Sequence, residues 1–268
     1  MASLQFMINA NPIGIFDSGI GGLSIARRIR EILPNENLLY IADSAHAPYG
    51  DKSESYIYQR SSSIIEFLLE RNAKAVVIAC NTATVSSIKQ LRANYSIPIV
   101  GVEPGVKPAA FKTRSGIIGV LATTQTLKST SFNALANSFS THVKIEVQPC
   151  PGLMEQVEAL NLDSDITEQL IKEYVSPLLA RGADNIVLGC THYAYLEQSI
   201  KKIAGPNVEI INTDLAVAKE AARRLDNASL LTTNTVPGKD EFWSSGAPDI
   251  AQKQISQLWG ETVNVLQM

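Results

Sequence analysis

The sequence predicts an α/β protein with two pseudosymmetric three-layer domains, each built around a mainly parallel sheet. Short apolar runs rich in β-branched residues alternate with segments of helical spacing, which is typical of βαβ units. Two of these runs, residues 76–84 (VVIACNTAT) and 186–193 (IVLGCTHY), resemble each other, since each reaches a small residue and then a cysteine. Cys80 and Cys190 lie 110 residues apart, and an Arg-x-Ala triplet precedes both runs at the same offset. The chain is therefore expected to contain two similar halves.

The composition is that of an ordinary globular protein. Of 268 residues, 45% are hydrophobic and 18% are charged, and the net charge at pH 7 is −3. This balance lacks the basic footprint of a nucleic-acid-binding protein, and no apolar stretch approaches the length of a membrane span. Residues 1–11 lack the features of a signal peptide, so we expect a short loose tail there.

Three cysteines occur in the chain, at Cys80, Cys150 and Cys190. An odd number without the spacing of a disulfide framework favours free thiols and a cytoplasmic location. Cys150 has no equivalent in the other half of the chain, so we interpret it as a structural residue. His46 and His142 fit no functional pattern.

The first half predicts four strands separated by helices. The strands are residues 13–16, 38–43, 76–79 and 97–102, and the helices are residues 23–33, 53–71 and a segment that ends near residue 95. Proline and glycine punctuate an irregular loop at residues 48–50. We place the crossing into the second domain at residues 103–105, so that the first domain begins with residues 1–104.

The second half predicts a similar alternation. Its strands are residues 116–121, 143–147, 186–189 and 208–211. A helix is expected after the first of these strands, a second helix carries Glu155, a third spans residues 166–180, and a fourth follows the second cysteine. We place the return crossing near residues 212–214. The second domain then spans residues 105–212, and residues 213–268 rejoin the first domain with a helix and a late strand near residues 242–246.

A glycine-rich turn at residues 17–22 (DSGIGG) joins the first strand to the first helix. Backbone N–H groups at a helix start suit an anion such as a carboxylate. The spacing differs from the Gly-x-Gly-x-x-Gly of a dinucleotide site. A tight turn without a ligand explains the same residues, and Asp17 also fits a simple helix cap. The spacing alone leaves these interpretations open.

Two cysteines at equivalent strand ends narrow the possible chemistry. Metal binding favours Cys-x-x-Cys pairs or clustered histidines, which the sequence lacks. Nucleophilic catalysis leaves one cysteine unexplained, and redox pairs usually lie close in sequence. Two buried structural cysteines stay an alternative. Acid–base chemistry fits better, because inverting a stereocentre requires proton removal from one face and delivery to the opposite face.

Five short motifs follow one another over most of the chain. They are residues 15–23 (IFDSGIGGL), 48–50 (PYG), 80–83 (CNTA), 103–105 (EPG) and 189–193 (GCTHY). In order and spacing they resemble the glutamate racemase family, and the likeness runs from about Ile13 to Gly246. Aspartate racemases share the paired cysteines but match the other motifs less well. Ala194 departs from the pattern, since the family commonly has proline there.

The resemblance implies two pseudosymmetric α/β domains with the active site in the cleft between them. It also implies racemisation without pyridoxal phosphate, flavin or metal. Cys80 and Cys190 are implied to be the catalytic thiols, assisted by Asp17 and His192, with Cys190 removing the α-proton of L-glutamate and Cys80 that of D-glutamate. The residues implied to bind the amino acid are Asp17, Ser18, Tyr49, Gly50, Asn81, Thr82, Thr123, Thr191 and His192. Glu155 matches an acidic position close to the ammonium group.

The expected function is cofactor-independent interconversion of L- and D-glutamate, an isomerase activity that supplies D-glutamate for peptidoglycan synthesis. We expect glutamate as the small-molecule partner, a homodimer, and neither a nucleic-acid nor a membrane partner. A racemase of another acidic amino acid such as aspartate is one alternative. A binding protein that kept the fold but lost turnover is another. His192 also fits a buried core histidine, and Glu155 a solvated helix residue.

Overall fold

The computed structural model describes residues 9–268, so most of the loose tail expected at residues 1–11 lies outside the described residues. The strands are β1 Ile13–Asp17, β2 Leu38–Ala42, β3 Ala75–Ile78, β4 Ile99–Gly101, β5 Ile117–Ala122, β6 Lys144–Pro149, β7 Asn185–Gly189, β8 Glu209–Ile211, β9 Asp240–Ser244 and β10 Val265–Gln267. The α-helices are α1 Leu23–Ile32, α2 Glu54–Glu70, α3 Asn81–Asn94, α4 Val106–Lys112, α5 Thr124–Lys128, α6 Thr130–Asn137, α7 Leu153–Glu158, α8 Asp165–Ala180, α9 Glu197–Ala204, α10 Asp214–Asn227 and α11 Pro248–Trp259. Within the described range, no helix is both long enough and apolar enough to cross a membrane.

These elements form two compact units. The first unit comprises the described residues up to Val102 together with Asp214–Met268, and the second unit comprises Glu103–Thr213. Domain boundaries after residues 104 and 212 were predicted from the sequence, and these boundaries remain predictions. Each unit has its own sheet and its own buried core.

The first unit is built on a six-stranded sheet in the order β10-β9-β2-β1-β3-β4. Every neighbouring pair of strands is parallel. β1, β2 and β3 are buried along their whole length, which agrees with their near-continuous runs of apolar residues. The returning segment contributes β9 beside β2, and β10 forms the sheet edge.

The second unit has a four-stranded parallel sheet in the order β6-β5-β7-β8. Strand for strand, this order repeats the β2-β1-β3-β4 part of the first sheet. The predicted α/β class with two mainly parallel sheets is thereby confirmed, and the two halves share one topology.

A glycine in each half makes room for the helix that covers the sheet. A Cβ atom on Gly14 in β1 would lie 2.8 Å from Leu68 of α2, and one on Gly119 in β5 would lie 2.8 Å from Leu178 of α8. Both leucines are fully buried. The two halves therefore repeat this helix-to-strand contact as well as the strand order.

The second unit differs from its predicted elements in several places, and its first helix, α4, was not predicted. A turn at Ser129 divides the expected helix after β5 into α5 and α6, because its side chain caps the second helix by accepting from the Phe132 amide. β6 extends two residues further than predicted, to Pro149. Thr191–Leu196 forms a 3-10 helix, so α9 begins only at Glu197.

Asp184 fastens the turn that leads into β5. Its carboxylate accepts hydrogen bonds from the Thr113 hydroxyl, the Asn185 side chain and the backbone amides of Arg114 and Ser115, at 2.6–2.9 Å. Burial raises the pKa of Asp184, but these hydrogen bonds outweigh it and hold the pKa well below its usual range. The charged carboxylate is thus part of the folded second unit.

Candidate active site

The carboxyl ends of the central strands carry most of the predicted site residues. In the first unit Asp17 ends β1, and Cys80 follows β3. In the second unit Thr123 follows β5, and Cys190 follows β7. β1 and β5 occupy equivalent places in the two sheets, as do β3 and β7. Each cysteine therefore has the same position in its own sheet, at the edge where open α/β sheets bind ligands.

Asp17 holds the glycine-rich turn closed. Its carboxylate is fully buried, with Oδ1 2.7 Å from the Ser18 amide and Oδ2 2.7 Å from the Gly22 amide. A Cβ atom on Gly22 would lie 2.7 Å from the Ala79 side chain and 2.9 Å from the Ala79 carbonyl oxygen. Only glycine, which has no Cβ atom, lets the turn lie this close to Ala79. The N-cap of α1 is Gly22, so Asp17 secures the turn before the helix and does not cap the helix itself.

Cys80 connects to Asp17 through a hydroxyl group. The Cys80 thiol donates to the Ser18 hydroxyl at 3.6 Å, and that hydroxyl donates to Asp17 Oδ1 at 3.3 Å. The Ala83 amide, at the start of α3, also donates to Cys80 Sγ at 3.4 Å. An amide at a helix start favours negative charge on the sulfur. The structure thus brings three of the predicted residues, at positions 17, 18 and 80, into one chain of contacts.

Asn81 and Thr82 lie in the first turn of α3, directly after Cys80, and both are buried. The Asn81 side-chain amide donates to the Val102 carbonyl at 3.2 Å, which fixes its orientation. The buried Thr84 hydroxyl bridges the Ile78 carbonyl and the Val102 amide. The substrate-binding roles predicted for Asn81 and Thr82 stay predictions.

Tyr49 and Gly50 lie in a short 3-10 helix, Tyr49–Asp51, within the loop after β2. Tyr49 is buried, whereas Gly50 is half-buried. The Tyr49 hydroxyl donates to the Asp43 carboxylate at 2.6 Å. Asp43 was not identified from the sequence, because nothing in its spacing marks it as a partner of Tyr49.

Cys190 has a side-chain partner of its own. Its sulfur lies 3.7 Å from Nδ1 of His192, and Nε2 of the same ring lies 2.7 Å from Glu158 Oε1. The imidazole is 2% exposed and the Glu158 side chain 19% exposed. A carboxylate on one ring nitrogen orients the imidazole and makes the other nitrogen a better proton acceptor. Each thiol therefore begins a chain that runs through a polar side chain to a carboxylate.

The acidic residue beside His192 is Glu158, which was not identified from the sequence. Both lie on α7, three residues apart, and Glu155 is exposed in its first turn. Residues three apart share a helix face, so the sequence alone does not distinguish them. The place predicted for Glu155, close to the ammonium group, stays a prediction.

Thr123 and Thr191 follow neighbouring strands of the second sheet. The half-buried Thr123 caps α5, where its hydroxyl accepts from the Thr126 amide at 3.2 Å and donates to the Thr126 hydroxyl at 3.0 Å. Thr191 is buried at the start of its 3-10 helix. Both hydroxyl-bearing residues therefore stand at the edge of the sheet that carries Cys190.

Cys150 is buried, and its thiol donates to the Gln148 carbonyl at 3.3 Å. Burial, followed by the nearby Cys190, raises the pKa of the Cys150 thiol well above its usual range. Cys150 therefore stays a thiol, in keeping with the structural interpretation. Among residues 9–268, no group of three or more His, Cys, Asp or Glu side chains is arranged to hold a metal ion.

Known proteins resemble this chain over nearly its whole length. A glutamate racemase of Methylococcus capsulatus is 50% identical over 251 residues, which cover 94% of this chain and 93% of the relative. A solved glutamate racemase of Bacillus anthracis superposes with a TM-score of 0.86 at 33% identity, covering 95% and 96% of the two chains. A glutamate racemase of Francisella tularensis, solved with D-glutamate, gives a TM-score of 0.84 at 28% identity and 97% coverage of both chains.

These relatives confirm the resemblance that the five sequence motifs indicated. The family model described as Asp/Glu/Hydantoin racemase matches residues 13–221, which include both cysteines, the glycine-rich turn and the His192–Glu158 pair. The chain belongs to the Asp/Glu/Hydantoin racemase family.

Proposed function

We propose that the chain interconverts L- and D-glutamate, with Cys80 and Cys190 as the two acid–base groups. The observation that carries this proposal is the equivalent placement of the two thiols. Each follows the same strand of one repeated sheet order, and each begins a chain of contacts that ends at a carboxylate. A racemase needs two such groups, since protons leave and arrive on opposite faces of the α-carbon.

Glutamate as the substrate is supported by the relatives. The Methylococcus capsulatus protein is a glutamate racemase at 50% identity, and the Francisella tularensis structure contains D-glutamate. Amino-acid isomerisation is therefore the activity of this chain. Supply of D-glutamate for peptidoglycan, in the cytoplasm, is the corresponding cellular role. We further propose a homodimer.

In the L-to-D direction, Cys190 begins as the thiolate and Cys80 as the thiol. The Cys190 thiolate removes the α-proton, and its electron pair stays on the α-carbon as a carbanion conjugated with the carboxylate. The Cys80 thiol then delivers its proton to the opposite face, which leaves a Cys80 thiolate and a Cys190 thiol. The D-to-L direction reverses each step, so one turnover prepares the site for the reverse reaction.

The neighbours of each thiol support these roles differently. His192 accepts the proton of the Cys190 thiol, and Glu158 stabilises the imidazolium that results. The Ala83 amide stabilises a thiolate at Cys80, while Ser18 connects the thiol to Asp17. Positioned acid–base groups of this kind typically contribute about 10²–10⁴-fold each.

The remaining predicted residues complete the proposal as ligands of the amino acid. The groups that we propose for the carboxylates and the ammonium are those of Ser18, Tyr49, Gly50, Asn81, Thr82, Thr123 and Thr191, with Glu155 near the ammonium. Their hydroxyl, amide and backbone N–H groups are of the type that binds carboxylates.

Optical rotation or circular dichroism of single enantiomers tests the function. L-glutamate and D-glutamate should each lose their signal completely, whereas the two aspartate enantiomers should react far more slowly. Faster loss with aspartate would assign the chain to the other acidic amino acid. A stable signal with all four, from folded protein, would mean that the chain binds without turnover.

A further inference from the structure

A partly buried ion pair lies beside the predicted substrate-binding loop, and the proposed mechanism does not use it. Asp43 directly follows β2, and its side chain has no exposed surface. Arg60, from α2, contacts both carboxylate oxygens, with Nε 2.8 Å from Oδ2 and Nη2 2.7 Å from Oδ1. This two-pronged geometry is that of a strong charge-assisted pair. Because an unpaired carboxylate is costly to bury, Arg60 supplies the counter-charge that the buried Asp43 carboxylate needs.

The same carboxylate holds Tyr49. The Tyr49 hydroxyl lies 2.6 Å from Asp43 Oδ2, so the one carboxylate accepts three hydrogen bonds. Burial, and then the Asp43 charge, raises the pKa of Tyr49 far above its usual range, and the hydroxyl therefore keeps its proton and donates it to Asp43. Since this donor is already in use, Tyr49 contributes to a ligand site through its position.

The loop that carries Tyr49 is also fastened to the end of the returning segment. The Ala45 amide donates to the Ser245 hydroxyl at 3.1 Å, and the Ser245 amide donates to the Ala42 carbonyl at 3.1 Å. Arg60 Nη2 lies 3.5 Å from the Met268 sulfur. The loop is thus held by Arg60 of α2 on one side and by Ser245, at the end of β9, on the other.

Tyr49 stands close to the reactive thiol of the same unit. Tyr49 and Cys80 belong to one buried apolar cluster. The 3-10 helix that carries Tyr49 also packs against α3, the helix that begins directly after Cys80. A displacement of the 49–51 turn would therefore alter the surroundings of Cys80.

We propose that Asp43 and Arg60 are positioning residues, which fix the Tyr49 turn beside Cys80 so that it can contribute to glutamate binding. This inference rests on the function proposed above, because it assigns the turn to the same site. Neither residue is expected to touch the substrate. Arg60 neutralises Asp43, Asp43 holds the Tyr49 hydroxyl, and the hydroxyl sets the place of the turn.

Three variants interrupt this chain of contacts at different points. Asp43→Asn removes the negative charge of the carboxylate. Arg60→Lys keeps the positive charge but loses the paired contact with both carboxylate oxygens. Tyr49→Phe removes only the hydroxyl. Each should raise the KM for both enantiomers about tenfold, as expected for one lost hydrogen bond to a charged group. The kcat should change less than threefold, because the lost contact acts on bound substrate and transition state alike.

Two comparisons separate positioning from general damage. Adding Tyr49→Phe to Asp43→Asn should raise KM little further, since both changes remove the same hydrogen bond. Arg71→Lys is the matched control, because Arg71 is the C-cap residue of α2 but stacks on the Phe67 and Trp243 rings. That variant should keep the KM of the wild type.

Hydrogen–deuterium exchange followed by mass spectrometry reports on the turn without any need for activity. Amides of residues 49–52 should exchange at least tenfold faster in the three variants, with exchange elsewhere in the chain unchanged. Unchanged KM and unchanged exchange in folded Arg60→Lys and Tyr49→Phe would overturn the inference, even if Asp43→Asn failed to fold. A large loss of kcat at constant KM would also overturn it, since that result describes a catalytic group.

The proposed function and this inference fail in different ways. A wild-type protein that does not racemise glutamate would refute the function, whatever the exchange data showed. An active wild type whose variants keep both KM and loop exchange would refute only the positioning role.

Discussion

Replacing Glu158 with glutamine should slow racemisation, although this residue lies one group away from the thiol. The substitution preserves size but removes the charge from the 2.7 Å contact with His192. Because His192 is 2% exposed and Glu158 19% exposed, little water is available to replace the lost interaction. A hydrogen bond to a charged group contributes about 1.5–3 kcal/mol, so kcat/KM should fall about 10- to 100-fold.

Initial rates of racemisation in both directions, followed by circular dichroism, measure this effect. L- and D-glutamate have equal free energies, so kcat/KM must fall by the same factor in both directions. Any asymmetry therefore has to be sought in kcat. Glu146→Gln is a matched control, since Glu146 has a similar exposure of 16% but pairs with Lys144 and Arg181 on the second unit. The reasoning is wrong if Glu158→Gln stays within threefold of the wild type while Glu155→Gln is slower.

Further predictions concern the thiols and two structural residues. Cys80→Ser and Cys190→Ser should each reduce racemisation by at least about 10²-fold, and the double variant should be little slower than either single variant. Cys150→Ala is the control and should stay near the wild-type rate. Normal turnover in either single variant would contradict the two-thiol proposal. Asp184→Asn should lower the free energy of unfolding in urea at neutral pH. The difference from the wild type should shrink as pH falls below the usual aspartate pKa of about 4, because the wild-type carboxylate then becomes protonated and loses its stabilising charge. A difference that is constant with pH would contradict this prediction. Gly22→Ala should cost about 2 kcal/mol in urea unfolding, since its Cβ would meet the Ala79 backbone oxygen; unchanged stability would show that the turn can relax.

Much of the fold could be predicted from local sequence pattern. The apolar runs that became β1, β3, β5 and β7 are almost continuous, and a strand buried on both faces needs such a run. β10 and α11 were missed, because a three-residue edge strand and a helix after an exposed loop give little periodic signal. The 3-10 geometry after Cys190 also escaped prediction.

The site could be predicted only as far as its residues form motifs. Asp17 ends a strand, and Cys80 and Cys190 each come just after a strand and before a helix, so their neighbourhoods are visible in the sequence. Glu158 and Arg60 are different, because they reach their partners from helices 34 and 17 residues away in the chain. Such contacts depend on how helices pack on the sheet, which spacing does not specify.

The central claim is that two thiols act on opposite faces of one α-carbon, and reaction in deuterated water tests it most directly. At low conversion, product from either enantiomer should carry deuterium at the α-carbon, while recovered substrate carries almost none. Cys190→Ser should still exchange the α-proton of D-glutamate but not that of L-glutamate, and Cys80→Ser should show the reverse. Product that retains the original proton, or a variant that exchanges both enantiomers equally, would contradict the two-thiol account.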